Sequence, residues 1–310
     1  MVTIMQCDSR TGPNLFLVGA PKCGTTSLYE YLRRHPQVYF PTNEKDYWVT
    51  KEPKFFCPDL DIRQKGCVEE LDDYLELYRG GREATLRGDA STCYLYSELA
   101  AKKIRGFCPN AYILIALRPP VDMMRSYHSD MVRSHWQPVS GFYDALNATY
   151  DSNADSFVPV PCKGPSYLDY FGISRFAPQV ERYFRVFGRH RVKVVLLEDI
   201  VSKPAATFAD ILAFLEIDTS FQPEFRIFNE RPGRSRIEAL ARFAYTLPFV
   251  NKVTSRLVPY SARRRFLSAL RRRESGSPGF DRREDRLRAL CRPDVESLSA
   301  LLDRDLSHWL

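Results

Sequence analysis

The chain has 310 residues, 44% of them hydrophobic, enough to bury a sizeable core in one α/β domain with appendages rather than in several domains. No apolar run reaches the roughly 18 residues of a membrane span, and Met1–Arg10 lacks the apolar centre of a signal peptide, so the cytosol is the expected compartment. The net charge of +7 is mild and gathers near the C-terminus, in Arg263–Arg265, Arg271–Arg273 and Arg282–Arg283; the aromatics between these arginines, Phe266 and Phe280, are too few for a stacking platform, so a solvated helix face is expected there and no nucleic-acid partner.

Residues 1–13 read as a flexible N-terminus. The first element is the apolar strand Phe16-Leu17-Val18, which runs through a glycine-containing loop into a helix carrying Leu28, Tyr31, Leu32 and His35 on one face. A strand, a tight loop and a helix N-terminus make a phosphate cradle, because the free amides and the positive dipole end both favour an anion. The cradle differs from the ATP-binding version. Gly19 and Gly24 have the Walker spacing, but Thr25 stands where the triphosphate lysine belongs, and the lysine has moved forward to Lys22. A kinase needs the later lysine for its β- and γ-phosphates, so the loop points to a different anhydride.

Further along, Ala84–Asp89 reads as a short strand, followed by a loop through Ser91–Leu95 and a helix over about Ser97–Phe107. Ala111–Leu117 reads as a buried parallel-type strand that feeds through Arg118-Pro119-Pro120 into a helix with the stripe Val121, Met124, His128 and Met131. Arg118, at a strand's carboxyl end, suits a forked pair with phosphate oxygens, and Ser126 adds a hydroxyl donor from the helix. Ile173, Phe176, Val180, Phe184 and Phe187 suggest one more helix, with Pro178 awkward in its first turn; Val192–Leu197 is a strand, and Pro204 suits the first turn of a helix facing inward through Phe208, Ile211, Leu212 and Leu215. Strands alternating with helices imply an α/β fold with a doubly wound, mainly parallel central sheet flanked by helices.

The run Pro21-Lys22-Cys23-Gly24-Thr25-Thr26-Ser27-Leu28 strongly resembles the 5′-phosphosulfate loop of sulfotransferases that use 3′-phosphoadenosine 5′-phosphosulfate (PAPS), and Arg118 with Ser126 resembles the 3′-phosphate motif of the same family. Gly88-Asp89-Ala90-Ser91 through Leu95 is similar to a Gly-Glu-Ala-Ser block of bacterial-type and carbohydrate members, Val194–Asp199 and Phe214-Leu215 to the late strand and its following helix, and Pro293–Leu310 to the C-terminal helix. The resemblance implies a single sulfotransferase domain over 1–310 with the P-loop fold, PAPS as donor, no metal, and a carbohydrate or small polar acceptor bearing a hydroxyl or an amine. It makes Cys23 a small loop filler rather than a nucleophile. Pro21, Lys22, Cys23, Gly24, Thr25, Thr26 and Ser27 are then donor-binding, with Lys22 stabilising the leaving oxygen.

The same resemblance supplies a base. Lys51-Glu52-Pro53-Lys54-Phe55-Phe56 resembles the family's Lys-Glu-Pro-x-Phe-Phe block, whose glutamate is the proposed proton acceptor. Counted from His35-Pro36, however, the usual register falls on Asn43-Glu44. Glu52 is preferred, since a motif is harder to reproduce by chance than a spacing, and Glu44 is the alternative. Residues 230–292 read as a basic lid or helical appendage, with Arg231, Gly233 and Arg234 resembling a segment that closes over the 3′-phosphate. Asp89 in place of the usual glutamate and Ser174 in place of a tyrosine depart from the pattern and bear on the acceptor pocket. A P-loop kinase with Val194–Asp199 imitating Walker B, and a non-catalytic PAPS- or glycan-binding module, are the rival readings. Many animal members are Golgi membrane proteins, so the Golgi lumen is the alternative location if this is an excised catalytic domain. The cysteines are expected to be mostly reduced, with Cys57–Cys67 the candidate local disulfide in an oxidising compartment.

Overall fold

A computed structural model describes residues 12–42, 47–61, 67–134, 136–151, 156–157, 164–225 and 278–310. Glu44, Arg231, Gly233, Arg234 and most of the 230–292 appendage lie outside these described residues. The chain divides into two compact units, residues 1–228 with 285–310, and residues 229–284. Of the second unit the described part is helical, the opening of the helix Pro278–Leu302. Apart from the opening of that helix, everything that follows lies in the first unit.

Seven strands are described: β1 Leu15–Gly19, β2 Val38–Tyr39, β3 Leu86–Asp89, β4 Tyr112–Leu117, the short pair β5 Tyr150–Asp151 and β6 Ser156–Phe157, and β7 Val192–Leu196. The central sheet has the order β2-β3-β1-β4-β7 and is parallel throughout. Every residue of β1 and all of β4 but Tyr112 are buried. Strands covered by helices on both faces have no wet side, which is why both read as unbroken apolar runs instead of alternating ones. Leaving β1, the chain first runs to the edge strand β2, returns to β3 beside β1, and then crosses to β4 and β7 on the other side. The point of reversal therefore lies between β1 and β4, and a ligand crevice belongs outside their carboxyl ends.

The helices are α1 Thr25–Leu32, α2 Tyr47–Lys51, α3 Leu71–Glu76, α4 Ala100–Phe107, α5 Pro120–Arg133, α6 Phe142–Thr149, α7 Tyr170–Ser174, α8 Phe176–Phe187, α9 Leu197–Ser202, α10 Pro204–Phe214 and α11 Pro278–Leu302. Four differ from the sequence reading: α1 ends at Leu32, so His35 lies beyond it, and the other three differ for visible reasons. Helix α4 begins at Ala100 and not at Ser97, because the Ser97 hydroxyl accepts from the Ala100 amide at 3.0 Å and donates to Asp59 at 2.6 Å, serving as a lead-in cap. The single helix expected across Ile173–Phe187 is broken at Arg175 into α7 and α8. Asp294 of α11 accepts there from the amides of Phe176 (2.8 Å) and Ala177 (3.2 Å), filling the cap that no nearby side chain supplies. Pro178 then falls in the first turn of α8, where a missing N–H costs nothing. The C-terminal helix starts well before Pro293, carries that proline inside it, and ends at Leu302 ahead of the turn Ser307–Trp309.

Candidate active site

The loop between β1 and α1 is shaped by two glycines. Gly19 (φ +147°) leaves no room for a side chain, since a Cβ would stand 2.7 Å from the Thr92 carbonyl oxygen. Gly24 (φ +87°), the residue before α1, is in the left-handed region that glycine adopts without cost. Helix α1 opens with Thr25, Thr26 and Ser27, has no side-chain cap and no acidic residue in its first turn, so its amides and dipole face the loop unopposed. Cys23 is fully buried, and burial pushes its thiol up to about 12 despite Arg118 and Lys22 nearby; it fills the loop and is not a nucleophile at neutral pH.

The loops after β1 and β4 meet at the reversal point. Ala20 donates its amide to the Ala116 carbonyl at 2.7 Å, and Arg118 Nη1 donates to the Lys22 carbonyl at 3.3 Å. Arg118 also pairs with Asp122 at 3.6 Å, but its Nε is buried with no partner among the described residues. Ser126, on α5, is buried. A guanidinium N–H left unsatisfied beside an uncapped helix start, with a serine hydroxyl on the helix that follows, suits an anionic ligand, which would supply the missing acceptor. Lys22 Nζ lies 3.4 Å from Asp130, itself paired with Arg133.

The Lys51–Phe56 block is fixed from beneath. Phe56 is buried and packs against Phe16 of β1 and Tyr94, while Phe55 stacks on Tyr74 with centroids 4.4 Å apart. The backbone is tied to the end of β3: the Ala90 amide donates to the Lys51 carbonyl (3.1 Å), and the Lys54 amide to the Ser91 hydroxyl oxygen (2.9 Å). Ser91 in turn donates to Asp89, a fully buried carboxylate that also accepts from Tyr74 (2.7 Å), Tyr94 (2.9 Å) and the Ser91 amide (2.9 Å). Asp89 is thus a scaffold knot under the block, and its burial raises its pKa from 3.8 to about 6. Ser174 is buried and bonded to the Phe171 carbonyl.

This arrangement sets Glu52 beside the phosphate loop. Its Oε1 accepts from Lys51 Nζ at 3.2 Å and its Oε2 from the Thr92 hydroxyl at 3.3 Å. Lys51 Nζ also donates to Thr26 Oγ1 at 3.2 Å, so one ammonium spans the first turn of α1 and the candidate base. Lys54 lies close by, its Nζ 5.8 Å from the centre of the Tyr167 ring; burial works against its charge, but Glu52 and neighbouring thiols hold its pKa above the ordinary lysine value. The Tyr167 hydroxyl is buried without a partner among the described residues. Cys57 and Cys67 do not form a disulfide with each other, and the sulfur neighbour of Cys57 is Cys93, at 3.4 Å.

Lys51, Thr92, Asp130 and Tyr167 carry no assigned role in the sequence reading. Lys51 and Thr92 stand inside motifs it quotes, as neighbours of the residues singled out, and Asp130 lies one turn beyond Ser126. Tyr167 comes from a stretch without any motif. Glu198 and Asp199 leave β7 into α9 and are engaged by the C-terminus: Arg304 forks onto Asp199, while His308 and Trp309 bond to Glu198 at 2.9 and 3.3 Å. They brace the chain end. No cluster of metal-ligating side chains is found among the described residues, and no helix there is long and apolar enough to cross a membrane.

No protein-family model matches the chain. The crystal structure of a sulfotransferase from Alicyclobacillus acidocaldarius is similar with a TM-score of 0.64 and 29% identity, covering 96% of this chain and 98% of that one. Human carbohydrate sulfotransferase 15 is 22% identical over 272 residues, 71% of this chain and 46% of the relative. Mouse bifunctional heparan sulfate N-deacetylase/N-sulfotransferase 1 is 25% identical over 216 residues, 67% of this chain and 22% of the relative. The chain spans less than half the length of these curated relatives. Together the likenesses support a sulfotransferase family and an α/β sulfotransferase fold.

Proposed function

We propose that this chain of the sulfotransferase family moves the sulfuryl group of PAPS to a hydroxyl of a carbohydrate acceptor. The observation that carries the reading is the hydrogen-bonded line Thr26–Lys51–Glu52–Thr92, which brings a carboxylate next to the first turn of the phosphate loop. The 5′-phosphosulfate is assigned to the loop amides with Thr25, Thr26 and Ser27, and the 3′-phosphate to Arg118, whose Nε is buried without a partner among the described residues, together with the Ser126 hydroxyl. The acceptor oxygen attacks sulfur in line. A new S–O bond forms as the bond from sulfur to the 5′-phosphate oxygen breaks, the acceptor's proton passes to Glu52, and Lys22 offsets the charge that grows on the departing oxygen. The acceptor class is taken from the relatives, whose names specify carbohydrate and heparan sulfate.

The kinase alternative fares worse: Thr25 replaces the triphosphate lysine, and the acidic pair after β7 is spent on the C-terminus. A panel of saccharides incubated with sulfur-labelled PAPS tests the reading, with label expected on one acceptor class. Tight binding of 3′-phosphoadenosine 5′-phosphate (PAP) without transfer to any saccharide, peptide, amine or phenol would favour a binding module, and Mg²⁺-dependent preference for ATP would revive the kinase.

A further inference from the structure

Lys51 is an unexpected group to find inside a protein wall, because its side chain is only 2% exposed and a buried lysine persists only where its charge is answered. Its partners include Glu52 Oε1 and Thr26 Oγ1, each at 3.2 Å, and the Tyr29 ring, whose centre is 5.8 Å from Nζ. The bond to Thr26 has a direction. An ammonium has donors only, so the threonine oxygen must be the acceptor, and its own hydrogen has to point away from Lys51. Thr26 has no other hydrogen-bond partner among the described residues, and it sits in the first turn of α1, where the amides are also unclaimed.

We propose that Lys51 is a positioning residue for the donor: by occupying the Thr26 lone pair it turns the Thr26 hydroxyl hydrogen toward the phosphate loop, ready to donate to a 5′-phosphate oxygen. Glu52 is the anionic anchor that holds Nζ in place for this task. The inference rests on the sulfotransferase reading and adds that donor loop and base share a single ammonium. Donation from Thr26 to a phosphate makes its oxygen a better acceptor for Lys51, since hydrogen bonds in a chain polarise one another, so donor binding and the setting of Glu52 reinforce each other. An apolar side chain of similar length at position 51 frees Thr26 to rotate and to spend its hydrogen elsewhere.

The test needs no acceptor. PAP is titrated by calorimetry into wild type, Thr26→Val, Lys51→Met and the double variant, with thermal melting to verify folding. Thr26→Val and Lys51→Met should each weaken PAP roughly tenfold, as expected for losing a bond to a charged group, and the double variant should be no weaker than the poorer single one. Lys51→Arg, which keeps a cationic donor, should stay within about threefold of wild type. Unchanged affinity in Lys51→Met, or losses that multiply in the double variant, would overturn the proposal while leaving PAP binding by wild type intact. Wild type that fails to bind PAP would instead overturn the sulfotransferase reading beneath it. Should Lys51→Met not fold, Lys51→Leu enters the same cycle, with the same expected non-additivity.

Discussion

A carboxylate that accepts from an ammonium on one oxygen and from a threonine hydroxyl on the other has little rotameric freedom, and for Glu52 those donors are Lys51 and Thr92. Glu52→Gln should keep the fold and leave PAP binding within a few-fold, while single-turnover transfer falls by roughly 10²- to 10⁴-fold, because an amide cannot take the acceptor's proton. Thr92→Val, which only loosens the carboxylate, should cost about tenfold in the same assay. Near-normal transfer by Glu52→Gln would shift the base role to Glu44. Lys22 carries a different expectation. Its partner Asp130 is a competitor for the donor's phosphate, in a pair about one quarter exposed on each side, so Asp130→Asn should tighten PAP by up to about fivefold. A weaker PAP complex in that variant would mean that Asp130 orients Lys22 instead of restraining it. At this scale the sequence motif marked Glu52 and Lys22, but the partners that hold them were not legible. Lys51 and Glu52 are adjacent in sequence, and nothing in that adjacency says that one ammonium also reaches Thr26 in another helix.

Elements were legible where burial imposes a pattern and illegible where a distant side chain decides a boundary. Strands β1, β4 and β7 could be read from their apolar runs, and α10 from Pro204 and its inward face. The two-residue β2 is too short to show any period. The break between α7 and α8 was beyond local reading for another reason: its cap, Asp294, lies more than a hundred residues away. That cap supports a measurable expectation. Asp294→Ala leaves the Phe176 and Ala177 amides without their acceptor and should destabilise the protein by about 1 kcal/mol, the usual worth of a helix N-cap, with Asp294→Asn recovering part of the loss. Urea denaturation of the three proteins measures it, and an alanine variant as stable as wild type would show that water satisfies those amides equally well.

Across the whole molecule, the parallel sheet brings the β1 and β4 loops together, but the same burial that builds the sheet leaves carboxylates in places where their charge is expensive. Asp89, fully buried, and Asp294, where burial outweighs the two amide bonds, both have pKa values raised from 3.8 to about 6. The sign follows from proton counting. Between about pH 4 and 6 the folded chain holds protons on these groups that the unfolded chain has released, so stability falls as pH rises through that window and gains as pH drops. Asp199 opposes this, because its hydrogen bonds to Arg304 hold its pKa below the usual value; its contribution is present above that value and is lost as pH falls through the depressed one. The urea midpoint should therefore climb as pH is lowered from about 7 to about 5 and decline again below about 4, where carboxylates like Asp199 lose their partners. Asp89→Asn separates the causes: an amide at that position has no proton to gain, so the climb between pH 7 and 5 should shrink whatever the variant's absolute stability. Asp199→Asn should leave that climb intact and soften the acid decline. A midpoint that falls steadily from pH 7 downward in wild type, with the same slope in Asp89→Asn, would mean that the four hydrogen bonds onto Asp89 keep it ionised in the core against the cost of its burial.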